Sequence, residues 1–149
     1  MRVFLHANVY FAGVFSSQGA SAMVLKLAKM GKIEIFANHL VLLEAERNLA
    51  QKADKRILEK FHRDLQQIPI HIIPWPEEKV LAEYEGVINA KDVPILAAAV
   101  ETGVGFLVTL DRKHFLRPEV LSYASKLKIL TPGEFLRQFF RNKGTHDVT

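Results

Sequence analysis

The feature that most constrains this chain is an alternation between short apolar segments and longer stretches with helical spacing of apolar residues. The short segments at 2–5, 32–37, 70–73, 105–110 and 128–130 have the length and composition of strands. Strands separated by helical stretches of this length predict right-handed parallel crossovers, with helices on both faces of the sheet. We therefore expect a three-layer α/β/α sandwich around a central parallel sheet of about five strands.

Residues that begin and end helices divide the stretches between the strands. Gly31 is predicted to end a helix, and Asp54 and Asp92 to begin helices. Thr131 and Glu134 have capping-box spacing ahead of the last helix. The helices predicted before the last one lie at 20–30, 40–50, 54–65, 76–88 and 92–103, and a loop is predicted at 14–20.

The chain reads as a single domain. Its 149 residues fall within the usual domain size of about 100–200 residues. The sequence contains no linker, internal repeat or low-complexity tract. We expect one domain over residues 1–142 and a frayed C-terminal tail over 143–149.

Composition excludes several classes of site. There are no cysteines, so disulfides, thiolate nucleophiles, zinc–thiolate sites and iron–sulfur clusters are excluded. The first residues lack the pattern of a secretory signal. The longest apolar run, 93–100, is shorter than the ~20 residues of a membrane helix, so we expect a cytoplasmic protein with no membrane contact. The net charge of +4 weakly favours a polyanionic partner.

Polar residues fall where the predicted sheet would bring them together. His6 follows the first strand, Asp111 follows the fourth, and Asp92 opens a helix. The carboxyl ends of parallel strands share one crevice, where ligands bind. Carboxylates gathered there repel one another unless a cation lies between them. The pattern therefore favours a hard-cation site and metal-dependent phosphate chemistry.

Each of these residues also has an ordinary structural explanation. Asp92 has the position of a helix N-cap, and Asp111 that of a turn residue. Glu44, next to an apolar run, is expected to face the sheet edge, although a solvated helix flank would also explain it. A histidine such as His6 is more often a hydrogen-bonded structural residue than a ligand. Taken one at a time, the residues leave both interpretations open.

The joint pattern resembles a PIN domain, a family of metal-dependent nucleases that includes prokaryotic toxins of toxin–antitoxin pairs and RNA-processing enzymes. Such domains open with a strand ending in Asp-x-Asn, and the corresponding segment here begins at His6 and ends at Asn8. The family's second acid is a glutamate five residues before a leucine. This spacing selects Glu44, which precedes Leu49, over Glu46.

Two further motifs carry the resemblance. The family's third acid leads an alanine-rich apolar helix, as Asp92 does here. Its fourth acid follows a strand ending in Val-Thr-x-Asp, which matches residues 108–111 and the following Phe115. The match runs from the first strand to the segment at 131–136 and covers nearly the whole chain.

The resemblance implies a divalent-cation site and a reaction. His6, Glu44, Asp92 and Asp111 would hold Mg²⁺ or Mn²⁺, and the three acids would be the catalytic residues. The ion would activate a water and stabilise charge as single-stranded RNA is cut. Whether one ion or two bind stays open.

Other polar residues match supporting roles. Asn8 and Thr109 resemble the polar contacts that support the family's acidic site. Basic residues after Asp111 could contact RNA phosphates, or could form a solvated loop. These residues are Arg112, Lys113, His114 and Arg117.

His6 departs from the family pattern, because an aspartate is expected there. A neutral imidazole supplies one nitrogen and no negative charge, so Mg²⁺ should bind less well, whereas Mn²⁺, Ni²⁺ or Zn²⁺ would tolerate the change better. Natural degeneration, a changed metal preference and an introduced substitution all remain open as its origin. We expect impaired cleavage with Mg²⁺.

The resemblance also leaves open which partners the chain has. If it is a toxin, an antitoxin protein is the expected partner. The last helix carries apolar residues that are mostly core and could extend into a homodimer interface: Phe135, Leu136, Phe139 and Phe140. The alternative function is a non-catalytic PIN-like module that binds RNA or protein. A receiver-like phosphoacceptor domain would need adjacent acids after the first strand and a lysine after the fifth, which are missing.

Overall fold

The computed structural model of this chain describes residues 1–148, with side chains described through residue 142. A 3₁₀ turn, Ala90–Asp92, directly precedes the helix Val93–Glu101. The elements in chain order are β1 (Arg2–Leu5), α1 (Ala7–Phe15), α2 (Ala20–Lys29), β2 (Glu34–Ala37), α3 (His39–Lys52), α4 (Lys55–Gln67), β3 (Ile70–Ile72), α5 (Glu78–Glu83), α6 (Val93–Glu101), β4 (Phe106–Val108), α7 (Arg112–Phe115), α8 (Pro118–Tyr123), β5 (Lys128–Leu130) and α9 (Pro132–Val148).

The five strands form one sheet in the order β3-β2-β1-β4-β5. Every neighbouring pair is parallel, as the long crossovers predict. Along the chain, β2 and β3 are added successively on one side of β1, and β4 and β5 are then added on its other side. This reversal makes the β1–β4 boundary the point where a ligand crevice opens in folds of this kind. The predicted α/β/α fold class is therefore confirmed.

The core lies on both faces of the central strand. Val3, Phe4 and Leu5 of β1 are fully buried, and consecutive strand side chains point to opposite faces. Helices must therefore cover both sides of the sheet. Helix α1 packs against α2, α3 and α4, and α2 also packs against α9. Helix α6 contributes a further buried apolar run, residues 95–99.

Three helices are absent from the sequence prediction. Helix α1 begins directly after β1, so the predicted loop at 14–20 starts only after Phe15. Its residues are apolar on most sides, which removes the periodicity that marks a surface helix. Helices α7 and α8 are too short to show any period. The helix predicted at 76–88 is confined to Glu78–Glu83.

The last helix begins as its capping residues predict. The backbone N–H of Thr131 donates to Glu134 Oε1 at 3.2 Å, and the backbone N–H of Glu134 donates to Thr131 Oγ1 at 3.2 Å. These reciprocal bonds form a capping box. The Thr131 hydroxyl also donates to Glu134 Oε1 at 2.7 Å. This bond lowers the pKa of the Glu134 carboxyl most, and the backbone N–H of Thr131 adds to the lowering. Helix α9 continues through Val148. The predicted frayed tail at 143–149 falls where side chains lie outside the described residues, so it stays a prediction.

Within the described part of the chain, no helix combines the length and the apolar character that crossing a membrane requires.

We expect Gly13→Ala to destabilise the fold by about 1–2 kcal/mol, although alanine normally favours a helix by about 1 kcal/mol. A Cβ at Gly13 would lie 2.9 Å from the backbone oxygen of Ser21 and 2.6 Å from Leu25 Cδ1. Overpacking of this kind costs about 1–3 kcal/mol. Urea denaturation of the variant would measure the loss. The matched control is Gly133→Ala, whose nearest atom, Arg137 Nη1, is 3.8 Å away. Equal or higher stability in both variants would contradict close packing at Gly13.

Candidate metal centre

The site is built where β1 and β4 end side by side. Leu5 pairs with Val108 in the sheet register, so the next residues, His6 and Thr109, are neighbours. His6 donates its backbone N–H to the Val108 carbonyl at 3.0 Å. The His6 Nδ1 and Thr109 Oγ1 atoms are 2.9 Å apart in a buried contact. Both polar side chains therefore lie in the crevice at the carboxyl edge of the sheet.

Asn8 orients the His6 ring and the turn that follows β4. Its Oδ1 accepts a hydrogen bond from the backbone N–H of Leu110 at 3.0 Å. Its Nδ2 therefore faces His6 Nδ1, at 3.1 Å. Thr109 Oγ1 accepts the backbone N–H of Asp111 at 3.0 Å. Asn8 and Thr109 thus hold the His6 ring and link the end of β1 to the turn after β4.

Asp92 is buried at the start of α6 without acting as its cap. The residue is 3% exposed, and its side chain makes no capping hydrogen bond. The reason is local backbone geometry, since φ −97° and ψ −4° are helical angles, whereas a capping residue is normally extended. An ionisable group close to its carboxylate is the His6 imidazole, with Nε2 3.7 Å from Oδ1. The capping explanation therefore does not account for Asp92.

Asp111 does satisfy its ordinary structural explanation. Its Oδ1 accepts the backbone N–H of His114 at 3.0 Å, which caps α7. The ring of His114 also reaches it, with Nδ1 2.9 Å from Oδ2. Burial alone would raise the pKa of the Asp111 carboxyl, but the hydrogen bonds from His114 outweigh burial and lower it. Asp111 is therefore both a cap and an ionised carboxylate of the crevice.

Three side chains meet closely enough to share one ion. One ligand atom from each of Asp92, Asp111 and His114 lies within 4.8 Å of the others. Oxygen ligands sit about 2.0–2.6 Å from a divalent cation, so two ligands of one ion are at most about 5 Å apart. The set contains two carboxylates and one imidazole. These residues therefore fit a divalent cation in both spacing and charge.

Glu44 lies beside this group on α3. Burial raises the pKa of its carboxyl, Lys91 opposes the rise, and Asp92 adds to it. Those influences place Glu44 in electrostatic reach of Asp92. Glu46, by contrast, has a side chain that is 52% exposed and lies 3.4 Å from His62 on the surface. The predicted choice of Glu44 over Glu46 agrees with this placement, and its role in catalysis stays a prediction.

His6 is held in a mostly uncharged form. Burial lowers the pKa of its imidazole, while Asp92 and Asp111 act in the opposite direction and Lys91 adds to the lowering. The ring also packs against Phe115, with centroids 4.9 Å apart. The predicted role of His6 as a metal ligand stays a prediction.

Two members of the surroundings were not identified from the sequence. His114 was grouped with basic residues that contact phosphate, but the structure turns its ring toward Asp111. The three-residue spacing on one helical turn was the available signal. Lys91 places a cation beside Glu44 and His6. Of the predicted phosphate contacts, Arg112 and Lys113 are exposed.

Arg117 is also at the surface, where its Nε lies 3.4 Å from Glu119 Oε2. Exposed pairs of this kind contribute little to stability, so the guanidinium remains accessible to other anions. The basic residues Arg112, Lys113 and Arg117 are therefore exposed at the surface, and their contact with phosphate stays a prediction.

The model of the PIN domain family matches residues 2–113, and no curated protein matches the chain. Among solved structures, PAE2754 from Pyrobaculum aerophilum is similar with a TM-score of 0.63 and 18% identity, over 95% of this chain and 96% of that one.

Two further structures share the fold at similar identity. VapBC2 from Rickettsia felis, bound to a DNA fragment from its promoter, gives a TM-score of 0.61 and 17% identity over 88% of this chain and 98% of that one. FitAcB from Neisseria gonorrhoeae gives a TM-score of 0.59 and 16% identity over 87% of this chain and 97% of that one. Because the family match spans most of its length, the chain belongs to the PIN domain family.

Proposed function

We propose that this PIN domain is a divalent-metal-dependent endoribonuclease for single-stranded RNA, with weak activity in Mg²⁺. The observation that carries the proposal is Asp92, a buried carboxylate that accepts no hydrogen bond from any described residue. Its ligand atom and that of Asp111 lie within 4.8 Å of one another, and two carboxylates held this close together repel one another. A cation shared by the two would offset that cost.

The proposed roles follow from the surroundings of each side chain. Asp92 and Asp111 hold the ion, and Glu44 completes the acidic edge. The bound ion supplies an activated water and neutralises charge on the phosphate. Glu44 is suited to accept a proton from the attacking water, because burial raises the pKa of its carboxyl. Asn8 and Thr109 keep the end of β1 in register with the turn that carries Asp111.

The proposed substrate is recognised through its phosphates. Arg112 and Lys113 are exposed directly after Asp111, and Arg117 follows one turn later. Phosphate contacts position a nucleic acid without reading its sequence. Single-stranded RNA is the substrate that resemblance to the family implies, and the net charge of +4 is compatible with it.

An antitoxin protein and a second copy of the chain are the proposed protein partners. The first follows from the family's toxins and from the similarity to VapBC2 and FitAcB. Phe15 and Phe11 stack at 5.6 Å, and Phe15 is 54% exposed, leaving an apolar surface on α1. Phe140, 47% exposed, does the same on α9, whereas Phe135 is core.

We expect His6→Asp to increase the Mg²⁺-dependent cleavage of unstructured RNA by about tenfold or more, the scale on which changes around a metal alter activity. The new carboxylate would restore an oxygen ligand and a negative charge at the end of β1. The parent should be faster with Mn²⁺ than with Mg²⁺. Initial rates on an end-labelled RNA, with DNA of the same sequence as a second substrate, would measure both effects.

Two glutamates of α3 provide the controls for this cleavage assay. In the His6→Asp background, Glu44→Gln should abolish cleavage, whereas the exposed Glu46→Gln should leave it unchanged. Equal Mg²⁺ rates for the parent and His6→Asp would mean that His6 does not limit activity. No cleavage by either protein with any ion would favour the non-catalytic RNA- or protein-binding module.

Two buried aspartates should respond oppositely to neutralisation in chelator. Asp92→Asn should raise the melting temperature by about 2–4 °C, the shift expected for about 1 kcal/mol at this size, because it removes a charge without a hydrogen-bond partner. Asp64→Asn should lower it, because Asp64 Oδ1 lies 2.6 Å from Lys29 Nζ. That lysine is partly exposed, which screens the pair.

Adding Mn²⁺ to the same melting experiment separates the two aspartates further. An ion that binds only the native state raises its stability by mass action. Mn²⁺ should therefore stabilise the parent and Asp64→Asn alike, and Asp92→Asn much less. If Asp92→Asn is destabilising in chelator and responds to Mn²⁺ as the parent does, Asp92 is a structural residue.

Replacing both Arg112 and Lys113 by alanine should weaken RNA binding and make it less dependent on salt. Each phosphate contact to a single strand contributes about 0.7 to the slope of log affinity against log salt, so the slope should fall by about 1–1.5. Fluorescence anisotropy across a salt series would measure it. Lys126→Ala is the matched control, because Lys126 lies beside Gly105, just before β4 begins. An equal effect of Lys126→Ala would point to nonspecific charge.

A further inference from the structure

We propose that His114, and not His6, supplies the nitrogen ligand of the metal centre, and that this centre selects Mn²⁺, Co²⁺, Ni²⁺ or Zn²⁺ over Mg²⁺. In this arrangement Asp92 and Asp111 are the oxygen ligands, and His6 lies beside them without binding the ion. The inference rests on the proposed function only in requiring that an ion binds at this crevice.

The position of the proton on His6 follows from a chain of hydrogen bonds that starts at the backbone. The backbone N–H of Leu110 can only donate, so the Asn8 atom that it meets at 3.0 Å is the oxygen. The Asn8 amide nitrogen therefore faces His6 Nδ1 at 3.1 Å. Because an amide nitrogen is only a donor, His6 Nδ1 must be an acceptor.

Thr109 supports the same assignment. Its Oγ1 accepts the backbone N–H of Asp111 at 3.0 Å and lies 3.4 Å from Asn8 Nδ2. Two N–H donors therefore face its lone pairs, and its hydroxyl hydrogen is available to be donated. The recipient is His6 Nδ1, 2.9 Å away. Two donors thus converge on Nδ1, and a neutral imidazole with Nδ1 unprotonated carries its hydrogen on Nε2.

This tautomer takes away the lone pair that a metal would need. The Nε2–H of His6 points to the side of the ring where Asp92 lies, 3.7 Å from its Oδ1. Coordination through Nε2 would require a proton on Nδ1, directly opposite the hydrogens of the Asn8 amide. His6 therefore contributes a partial positive charge next to Asp92, which further weakens the attraction of this corner for Mg²⁺.

His114, unlike His6, can offer a ring nitrogen as a metal ligand. Its Nδ1 lies 2.9 Å from Asp111 Oδ2, and the side chain is 36% exposed. No described residue makes a hydrogen bond with its Nε2. A neutral His114 ring with its hydrogen on Nε2 presents an Nδ1 lone pair beside Asp111. Its ligand atom already lies within 4.8 Å of those of Asp92 and Asp111.

The donor set determines the preferred ion. Mg²⁺ prefers oxygen ligands in near-ideal octahedral geometry. An imidazole nitrogen instead suits the later first-row ions, with carboxylates also accepted by Mn²⁺. The buried Asp92 side chain, which accepts no hydrogen bond from the described residues, also indicates that this cluster receives a ligand. One nitrogen and two carboxylates therefore describe a transition-metal site within a crevice that the family pattern would fill with acids.

Isothermal titration calorimetry on the chelator-treated protein tests the assignment with MnCl₂, NiCl₂, ZnCl₂ and MgCl₂. We expect Ni²⁺ and Zn²⁺ to bind at least about a hundredfold more tightly than Mg²⁺. His114→Ala should weaken both by about tenfold or more and change Mg²⁺ binding little. The matched control is His62→Ala, another surface histidine paired with a carboxylate, Glu46, at 3.4 Å, which should leave all affinities unchanged.

A second readout identifies the ligating ring without removing either histidine. In ¹⁵N-labelled protein, histidine side-chain spectra should show His6 as the Nε2–H tautomer before and after Zn²⁺ is added. The His114 ring nitrogens should shift on binding. A Zn²⁺-dependent change of tautomer at His6, or full affinity in His114→Ala, would overturn the assignment.

These measurements need no RNA, so the outcomes separate the two proposals. Metal binding that depends on His114, without RNA cleavage, would support the site and refute the nuclease. RNA cleavage with Mg²⁺ affinity equal to that for Zn²⁺ would refute the ion preference and leave the nuclease standing. Failure of all four ions to bind would refute the inference outright.

Discussion

The pairing of β1 with β4 is the contact on which the rest of this structure depends. It joins the two halves of the sheet, and it brings the residues after Leu5 beside those after Val108. Without this register, His6 and Thr109 would not meet, and the turn carrying Asp111 would have no fixed position against β1. Because β1 is covered on both faces, a slip of one residue would turn each buried side chain to the opposite face and disrupt the packing on both. The packing of the core therefore also fixes the geometry of the crevice.

Two aspartates of the crevice show how the same side chain can have different reasons to be there. Asp111 caps a helix and is hydrogen-bonded by His114, so its presence is explained even without an ion. Asp92 opens a longer helix but has helical backbone angles and no capping bond. From sequence position alone, both aspartates are compatible with a turn or capping role. The backbone conformation distinguishes them, and it identifies Asp92 as the more informative residue about function.

Much of the fold was predictable because local signals and global pattern agree. The strand at 128–130 and the Asp54 cap, whose Oδ1 accepts the backbone N–H of Ile57 at 3.1 Å, match the prediction. Helix α1 could not be predicted, because a helix buried on most sides has no amphipathic period. The contact of His114 with Asp111 was missed because α7 is a single turn. The proton on His6 depends on contacts made across the sheet, which no local pattern encodes.

The distance along the chain between β1 and β4 has a consequence during synthesis. Leu5 and Val108 are paired in space, yet about two thirds of the chain lies between them in the sequence. Parallel pairings of such long range form late, because the loop must close before its contacts stabilise it. The crevice at the sheet edge therefore cannot assemble on a nascent chain that lacks β4. For a domain proposed to cut RNA, this topology means that the proposed active site cannot form until the ribosome has translated β4.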